Sequence, residues 1–358
     1  MSLWQRLSGG IPGGVIAATY GLGGLCGLAA TWAGLPLAML LGPMLGIALA
    51  SRLGLTLAGH PLAVPQKWRY VLVPVVGVAI GASFPEDFLT QAQRWWVTMA
   101  ALLVFIPVAQ ALGYVLYRRL GRLSPQTAYY AAMPGGFIES LDMGEKSGAD
   151  MPMLIMLQFL RLILCIVLIP IAFSLVEGHA VGSGSGMTLG SSTTPLTLAD
   201  AALLVVLGAA GWFVASRLNF PAAVLSGPLL FSGLAHAMGL THAAPPFWAV
   251  LVTQWVMGTS LGVRLSGFTR GQAGMALGLS LLNVGAMLLI ASGIALVLAA
   301  PVGQPVGAVI LAFAPGGVSE MSLVALSLHL SAVFVTMHHL ARIVLAVLVA
   351  RFGQRWLT

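Results

Sequence analysis

Apolar residues fill most of the chain in long runs that short polar stretches separate. Ten of these runs approach the ~20 residues that a helix needs to cross a bilayer. They are 11–33, 35–51, 69–84, 95–117, 150–176, 198–216, 220–239, 246–263, 272–299 and 328–350. The shorter runs are compatible with tilted or partial spans. Two further apolar pieces, 124–141 and 305–323, are interrupted by Pro-Gly-Gly. The pattern predicts an all-α polytopic membrane protein.

Composition supports this class and excludes others. Hydrophobic residues make up 59% of the 358 residues and charged residues only 7%, whereas soluble proteins average about a quarter charged residues. So few charges could not cover a soluble protein of this size. The 44 glycines and 20 prolines lie inside apolar runs, which excludes a disordered chain. The bilayer is therefore the expected surrounding of the protein.

The two halves of the chain align almost without gaps, which predicts a duplicated unit. Leu35-Pro36 through Gly42-Pro43 matches Phe220-Pro221 through Gly227-Pro228 at one offset, and later positions match at a second, slightly smaller offset. The later matches are Gly77 and Gly81 with Gly258 and Gly262, Pro134-Gly135-Gly136 with Pro315-Gly316-Gly317, Glu139 with Glu320, Gln158 with His339, and Arg161 with Arg342. We predict repeats at 1–176 and 198–358, joined by a polar Gly/Ser linker at 177–197.

The basic residues predict how the repeats cross the membrane. The net charge of +7 resembles that of a nucleic-acid binder, but the basic residues lie mostly at the ends of apolar runs, as the positive-inside rule requires. If both Pro-Gly-Gly pieces are broken or re-entrant segments and both termini are cytoplasmic, thirteen Lys and Arg face the cytoplasm and Arg94 alone faces outward. Five spans per repeat then give two repeats of inverted topology. No direct binding of nucleic acid is expected.

Each Pro-Gly-Gly disfavours a continuous helix in the middle of its apolar segment. Proline lacks an N–H and clashes with the preceding turn, and glycine permits a left-handed backbone. In hydrocarbon such a break persists only where protein or a watery cavity satisfies the freed polar groups. The functional interpretation is a broken helix whose ends face a substrate or ion, as in inverted-repeat transporters. The structural alternative is a membrane hairpin turn.

An acid follows each break, and an arginine lies at the same distance beyond the acid in each half. An isolated charge in mid-membrane costs at least ~2.5 kcal/mol, and pairing reduces that cost. We therefore predict that Glu139 pairs with Arg161 and that Glu320 pairs with Arg342. Such pairs either act as substrate or coupling groups or hold the broken segment against the following helix.

Histidines near the second arginine are candidates of another kind. His338 and His339 lie one turn before Arg342, and an imidazole could relay protons near neutral pH. The alternative is a buried histidine whose hydrogen bonds are satisfied. Adjacent histidines point about 100° apart on a helix and lack the i, i+4 spacing of a chelating pair. We predict no metal site and no cofactor.

A four-residue glycine spacing recurs in both halves. Gly77-x-x-x-Gly81 and Gly258-x-x-x-Gly262 place two glycines on one face of a helix, which favours close helix packing in membranes. We assign these four glycines to packing.

Together these motifs resemble the AbrB membrane family, polytopic proteins named for a regulator of AidB expression. The resemblance rests on Leu35-Pro36 with Leu41-Gly42-Pro43, on Gly77-x-x-x-Gly81, on Met133-Pro134-Gly135-Gly136 with Glu139, and above all on Ala314-Pro315-Gly316-Gly317-x-x-Glu320-Met321 followed by Arg342. It implies a bacterial inner-membrane protein with a duplicated domain, associated by name with regulation of gene expression. Some family members carry the label of an ammonia monooxygenase. In the first copy Ser140 stands where the family pattern has Met.

Two functions remain in competition. The first is a secondary transporter of a small polar or anionic solute, with its site between the two breaks. The alternative is a membrane-embedded regulator of gene expression that acts through a soluble partner. The histidines show no ligand spacing for a metal or haem oxygenase, so we do not expect an enzyme. The sequence leaves the formation of a homo-oligomer open.

Overall fold

The computed structural model describes residues 8–57, 59–84, 88–177, 196–265 and 270–356. The linker predicted at 177–197 falls almost wholly outside these residues. The described chain is nearly all helical, apart from a two-stranded antiparallel hairpin that pairs Thr56 with Pro61 and Leu57 with His60.

The helices follow the predicted apolar runs. In the first half they are α1 (Gly13–Trp32), α2 (Ala38–Arg52), α3 (Trp68–Gly81), α4 (Phe88–Arg94), α5 (Trp96–Arg119), α6 (Pro125–Ala131), α7 (Phe137–Lys146) and α8 (Met151–Glu177). In the second half they are α9 (Leu198–Arg217), α10 (Ala223–Ala237), α11 (Phe247–Leu265), α12 (Arg270–Val302), α13 (Val306–Phe313), α14 (Val318–Ser327) and α15 (Ala332–Gly353), and a 3₁₀ turn, Gln354–Trp356, follows.

Six helices in the described residues are long and apolar enough to cross a membrane: α1, α5, α8, α9, α12 and α15. Helices α2, α3 and α10 have only 14 or 15 residues. At ~1.5 Å per residue they reach ~22 Å, which is short of the ~30 Å hydrocarbon core. The chain therefore has the helical, apolar architecture of a multi-pass membrane protein.

Several helix bounds and left-handed residues of the first half have counterparts in the second half. The bounds of α1 and α2 match those of α9 and α10 at the offset that relates Leu35 to Phe220, while the bounds of α7 match those of α14 at the offset that relates Arg161 to Arg342. Left-handed residues recur at the same two offsets, for example Leu37 (φ 46°) with Ala222 (φ 50°) and Arg122 (φ 50°) with Gly303 (φ 65°). Because non-glycine residues rarely adopt this backbone, its recurrence is a specific correspondence.

The chain forms two compact units, and each unit draws helices from both halves. The first unit contains the described residues within Met1–Phe84, Pro170–Gly267 and Leu326–His329, and thus α1–α3 with α9–α11. The second unit contains the described residues within Pro85–Ile169, Phe268–Ala325 and Leu330–Thr358, and thus both Pro-Gly-Gly segments.

In the first unit the four packing glycines lie where two helices approach closely. A Cβ on Gly77 of α3 would lie 2.6 Å from the Leu225 carbonyl oxygen of α10, and a Cβ on Gly262 of α11 would lie 2.6 Å from the Met44 carbonyl oxygen of α2. Gly81 and Gly258 make equivalent approaches to the same partner helices. Helix α3 of the first half thus packs on α10 of the second, and α11 of the second half packs on α2 of the first.

Candidate functional site

Both Pro-Gly-Gly segments lie between two short helices in the second unit. Helix α6 ends at Ala131 and α7 begins at Phe137, while α13 ends at Phe313 and α14 begins at Val318. The last carbonyls of α6 and α13 therefore have no helical N–H partner and need other donors. The segment 132–136 is buried, and Gly136 adopts the left-handed backbone (φ 69°) that glycine tolerates.

The two arginines supply donors to these carbonyls. Arg161 on α8 and Arg342 on α15 are each only 1% exposed. Arg161 donates through Nη1 to the Met133 carbonyl, and Arg342 donates through Nη1 to the Ala314 carbonyl. Arg342 also donates through Nη2 to the Gly316 carbonyl at 2.5 Å. Met133 and Ala314 occupy matching positions in the two halves, as do the arginines.

Gln158 and His339, also at matching positions, satisfy the preceding carbonyls. Gln158 Nε2 donates to the Tyr130 carbonyl at 2.7 Å, and His339 Nε2 lies 2.8 Å from the Leu311 carbonyl. Arg342 Nη2 lies 3.0 Å from His339 Nδ1. Because the guanidinium can only donate and the carbonyl can only accept, His339 is the neutral tautomer with its proton on Nε2. A satisfied buried histidine therefore fits this position better than a proton relay does.

The predicted pairing of Glu139 with Arg161 and of Glu320 with Arg342 is wrong. Among the described residues neither arginine forms an ion pair, and the ion pair seen joins the exposed Lys146 and Asp142 at 2.6 Å. Each acid instead lies in the first turn of a helix, Glu139 in α7 and Glu320 in α14, where the helix dipole favours negative charge.

The glycine before each of these helices makes room for the acid. A Cβ on Gly136 would lie 3.1 Å from a Glu139 carboxylate oxygen, and a Cβ on Gly317 would collide with the Glu320 carboxylate. The carboxylate thus folds back over the glycine at the start of its own helix. The two charged residues thus lie at different helix ends of each break. The arginine lies at the carboxyl-terminal end of the helix before the break, and the acid lies at the amino-terminal end of the helix after it.

Arg342 contacts both Pro-Gly-Gly segments. Besides its bonds to Ala314 and Gly316, it packs against Gly135, where a Cβ would lie 3.5 Å from its Nε. Because Arg161 bonds to the Met133 carbonyl and Arg342 packs against Gly135, two residues further on, the two guanidinium groups lie close together. The Nε atoms of both are buried and have no hydrogen-bond partner among the described residues. Two like charges thus lie together at the breaks.

His338 is buried in an aromatic setting beside this arrangement. Its Nδ1 lies 2.8 Å from the Phe334 carbonyl, and its Nε2 lies 2.8 Å from the Thr98 hydroxyl of α5. The Phe334 ring centroid is 4.1 Å from that of the imidazole. His338 therefore links α15 to α5 and does not contact the carbonyls of the breaks.

Sequence reasoning missed a polar pair on the side of the first break. Tyr117 of α5 and Asn283 of α12 are both fully buried, and Asn283 Nδ2 donates to the Tyr117 hydroxyl at 3.0 Å. The signal was available, because Asn283 is an amide in the middle of a long apolar run and polar groups within membrane helices are functional candidates. Within the described part of the chain, no group of three or more His, Cys, Asp or Glu side chains is placed to hold a metal ion.

The apolar helices and the interrupted, charge-bearing segments define a polytopic helical membrane protein. The family model described as "Transition state regulatory protein AbrB" matches residues 50–358. The chain belongs to this AbrB family.

Two bacterial relatives span most of the chain. A Bacillus subtilis (strain 168) protein named "Uncharacterized protein YhjN" is 25% identical over 307 residues, which cover 82% of this chain and 79% of the relative. An Escherichia coli (strain K12) protein named "Putative regulator AbrB" is 25% identical over 301 residues, which cover 81% of each chain. The family is thus established over most of the length, while the two names describe no common activity.

Proposed function

We propose that this protein is a secondary-transporter-like membrane protein that moves a small anionic solute, or a polar solute with an acidic group. The observation that carries the proposal is the pair of neighbouring, buried guanidinium groups of Arg161 and Arg342, which have no carboxylate partner among the described residues. The proposal assigns no catalytic chemistry to the site and no cofactor.

Electrostatics favour an anion at this place. A buried ion costs several kcal/mol in lost hydration even after the protein relaxes, and two neighbouring like charges raise that cost. The main-chain carbonyls that bind the arginines offset part of this desolvation cost, because they lie at the negative ends of the α6 and α13 helix dipoles. An anion between the guanidinium groups would offset the remainder and could bond to the unpaired Nε atoms of Arg161 and Arg342.

The correspondence between the halves supports an inverted-repeat architecture. Matching helix bounds and left-handed residues, together with the matching Arg161 and Arg342 contacts, are what a duplicated unit would produce. We retain the topology predicted from the sequence, ten spans with two re-entrant segments, of which six are long enough to cross the bilayer by themselves; with it, the positive-inside rule puts both termini in the cytoplasm. We assign the protein to the bacterial inner membrane, and the proposal holds for a monomer or a homo-oligomer. Interrupted helices near mid-membrane are the usual binding sites of such repeats.

Solute flux tests the proposal. Purified protein in proteoliposomes should move one or more small organic anions down their gradient, and Arg342→Ala combined with Arg161→Ala should abolish that flux. Arg351→Ala is the matched control, because Arg351 lies on α15 like Arg342 but is exposed. Normal flux from the double variant, or no flux of any anion by the wild-type protein, contradicts the proposal.

A regulator acting through a soluble partner is the second candidate, and the family description and the name of the Escherichia coli relative favour it. Its candidate docking residues, each stretch taken by itself, are the charged stretches at 67–69, 118–122 and 142–150, where Lys146 and Asp142 are exposed. A transcriptional partner should copurify with the wild-type protein. If reversing the charges of Lys146 and Asp142 abolishes this copurification and leaves flux unchanged, regulation is favoured over transport.

A further inference from the structure

We infer that Tyr117 and Asn283 form a recognition wall that selects anions carrying a hydroxyl group beside their carboxylate. This inference rests on the proposed function, since it places a second binding contact in the same site. It names the class of solute as small hydroxylated carboxylates.

The wall lies next to the first break. Tyr117 is close enough to Arg161 for an electrostatic interaction. A Cβ on Gly113, one turn before Tyr117 on α5, would lie 3.0 Å from the Asn283 amide oxygen and 2.9 Å from the Ala132 Cβ. Ala132 directly precedes Met133, whose carbonyl receives Arg161. Tyr117, Asn283 and Arg161 therefore surround one end of the break.

The Tyr117–Asn283 pair leaves one buried hydrogen-bond acceptor without a donor. Asn283 uses its Nδ2 on the Tyr117 hydroxyl at 3.0 Å, but its Oδ1 is buried without a partner among the described residues. A buried acceptor without a donor costs ~1–3 kcal/mol. The Tyr117 oxygen can accept from Asn283 and from the neighbouring Ser280 hydroxyl, so its own proton can be donated elsewhere. The wall thus offers one acceptor and one donor beside a guanidinium group.

These atoms match a hydroxylated carboxylate. Arg161 Nε and the Tyr117 hydroxyl can both donate to a carboxylate, and Asn283 Oδ1 can accept from a neighbouring hydroxyl. An anion without that hydroxyl would leave Oδ1 unpaired. Sites that bind a hydroxyl in this way discriminate strongly against analogues that lack it.

The second half has no such wall. At the offset that relates Arg161 to Arg342, Tyr117 corresponds to Leu298, and Asn283 corresponds to Leu102. A purely structural hydrogen bond between two helices would need no unpaired acceptor. The asymmetry assigns solute discrimination to the side of Arg161.

Matched pairs of anions test the inference at pH 7, where all of them are ionised. The probes are propionate against lactate and succinate against malate, which differ within each pair by one hydroxyl. The readout is the concentration that half-maximally raises the unfolding temperature of the purified protein in detergent. In at least one pair the hydroxylated anion should act at a concentration about tenfold lower, since the contact is worth about one such hydrogen bond.

Two substitutions at Asn283 separate recognition from folding. Asn283→Leu should bring the two half-maximal concentrations together and leave the response to the plain anion. Asn283→Asp keeps the side-chain shape and can still bond to Tyr117, but its negative charge near Arg161 should suppress the response to both anions by tenfold or more. Ser292→Ala, on the same helix α12, is the control and should preserve the preference.

The outcomes distinguish this inference from the function on which it rests. Equal responses of the wild-type protein to both members of each pair overturn the recognition wall and leave anion binding standing. A preference that survives in Asn283→Leu, or an undiminished response in Asn283→Asp, also overturns the wall. If the wild-type protein responds to none of the four anions and transports none of them, both proposals fall.

Discussion

The two arginine sites share one backbone arrangement but use their side chains differently. Arg161 and Arg342 each donate to the carbonyl at the matching position of their own break. Arg342 is more fully engaged, because it also bonds to Gly316 and to His339. Gln158 takes the place of His339 and bonds only to main-chain carbonyls.

This difference separates two tasks that a duplicated site can divide. The contacts present in both halves hold each broken helix end in place, and these include the Gln158 and His339 bonds to matching carbonyls. Contacts found in one half alone are not needed to hold a break in place, so they can determine which solute binds. Arg342 uses more of its donors on the break, whereas Arg161 lies beside the Tyr117–Asn283 pair, in which Asn283 Oδ1 has no partner among the described residues. The first half is thus the better candidate for solute selection, and the second for rigidity.

Removing each arginine in turn should have the largest effect on the free energy of unfolding. Equal losses for the two arginines would mean that their sites are equivalent. Arg342→Leu leaves the Ala314 and Gly316 carbonyls without their charged donor. Because a hydrogen bond to a charged group is worth ~1.5–3 kcal/mol, we expect a loss of ~2–4 kcal/mol in the free energy of unfolding. Arg161→Leu removes one such bond and should cost about half as much. Unfolding in mixed detergent measures both, and an equal or larger loss for Arg161→Leu would contradict the division of tasks.

The packing glycines test whether the two halves are equivalent away from the site. In Gly77→Ala the new Cβ meets the Leu225 carbonyl oxygen at 2.6 Å, and in Gly258→Ala it collides with the Leu40 carbonyl oxygen. Overpacking of this kind costs ~1–3 kcal/mol, and we expect the two losses to agree within about 1 kcal/mol.

The control for the glycines has the opposite sign. Gly278→Ala on α12 has nothing within 4 Å of the added Cβ, and alanine favours a helix over glycine by ~1 kcal/mol. This variant should be neutral or more stable in the same unfolding assay. A loss in Gly278→Ala as large as that in Gly77→Ala would remove close packing as the explanation.

Much of this architecture was predictable from sequence, because apolar runs and repeated rare residues are local signals. The runs predicted where the helices lie, and the matching of Gln158 with His339 and of Arg161 with Arg342 marked side chains that the structure brings to the two breaks. The Glu139 and Glu320 partners were mispredicted, since charge counting treats only side chains as counter-charges. Helix ends also carry charge, and their contribution depends on where α6 and α13 end.

His339 and Gln158 allow a direct test of this difference, because the residue found in one half can be substituted at the matching position of the other half. His339→Gln should retain most stability, since an amide at this position already bonds to the matching carbonyl in the first half. His339→Leu should cost ~1–2 kcal/mol, because it removes the imidazole bonds to the Leu311 carbonyl and to Arg342. Unfolding measurements on the two variants, beside Gln158→Leu, decide the point. If His339→Gln loses as much as His339→Leu, the imidazole has a role beyond bonding to Leu311, and proton transfer returns as an explanation.

The smallest expected effect concerns the turns that precede the final helix of each half. Gly148 (φ 75°) and His329 (φ 53°) occupy matching left-handed positions, but only glycine adopts this backbone without strain, a difference of ~1 kcal/mol. His329→Gly should therefore stabilise the protein by up to ~1 kcal/mol, and Gly148→Ala, whose Cβ meets nothing within 4 Å, should destabilise it by about the same amount. Because His329 is exposed, a loss of stability in His329→Gly would mean that the imidazole makes a contact that outweighs its backbone strain. The second half would then differ from the first at its turn as well as at its arginine.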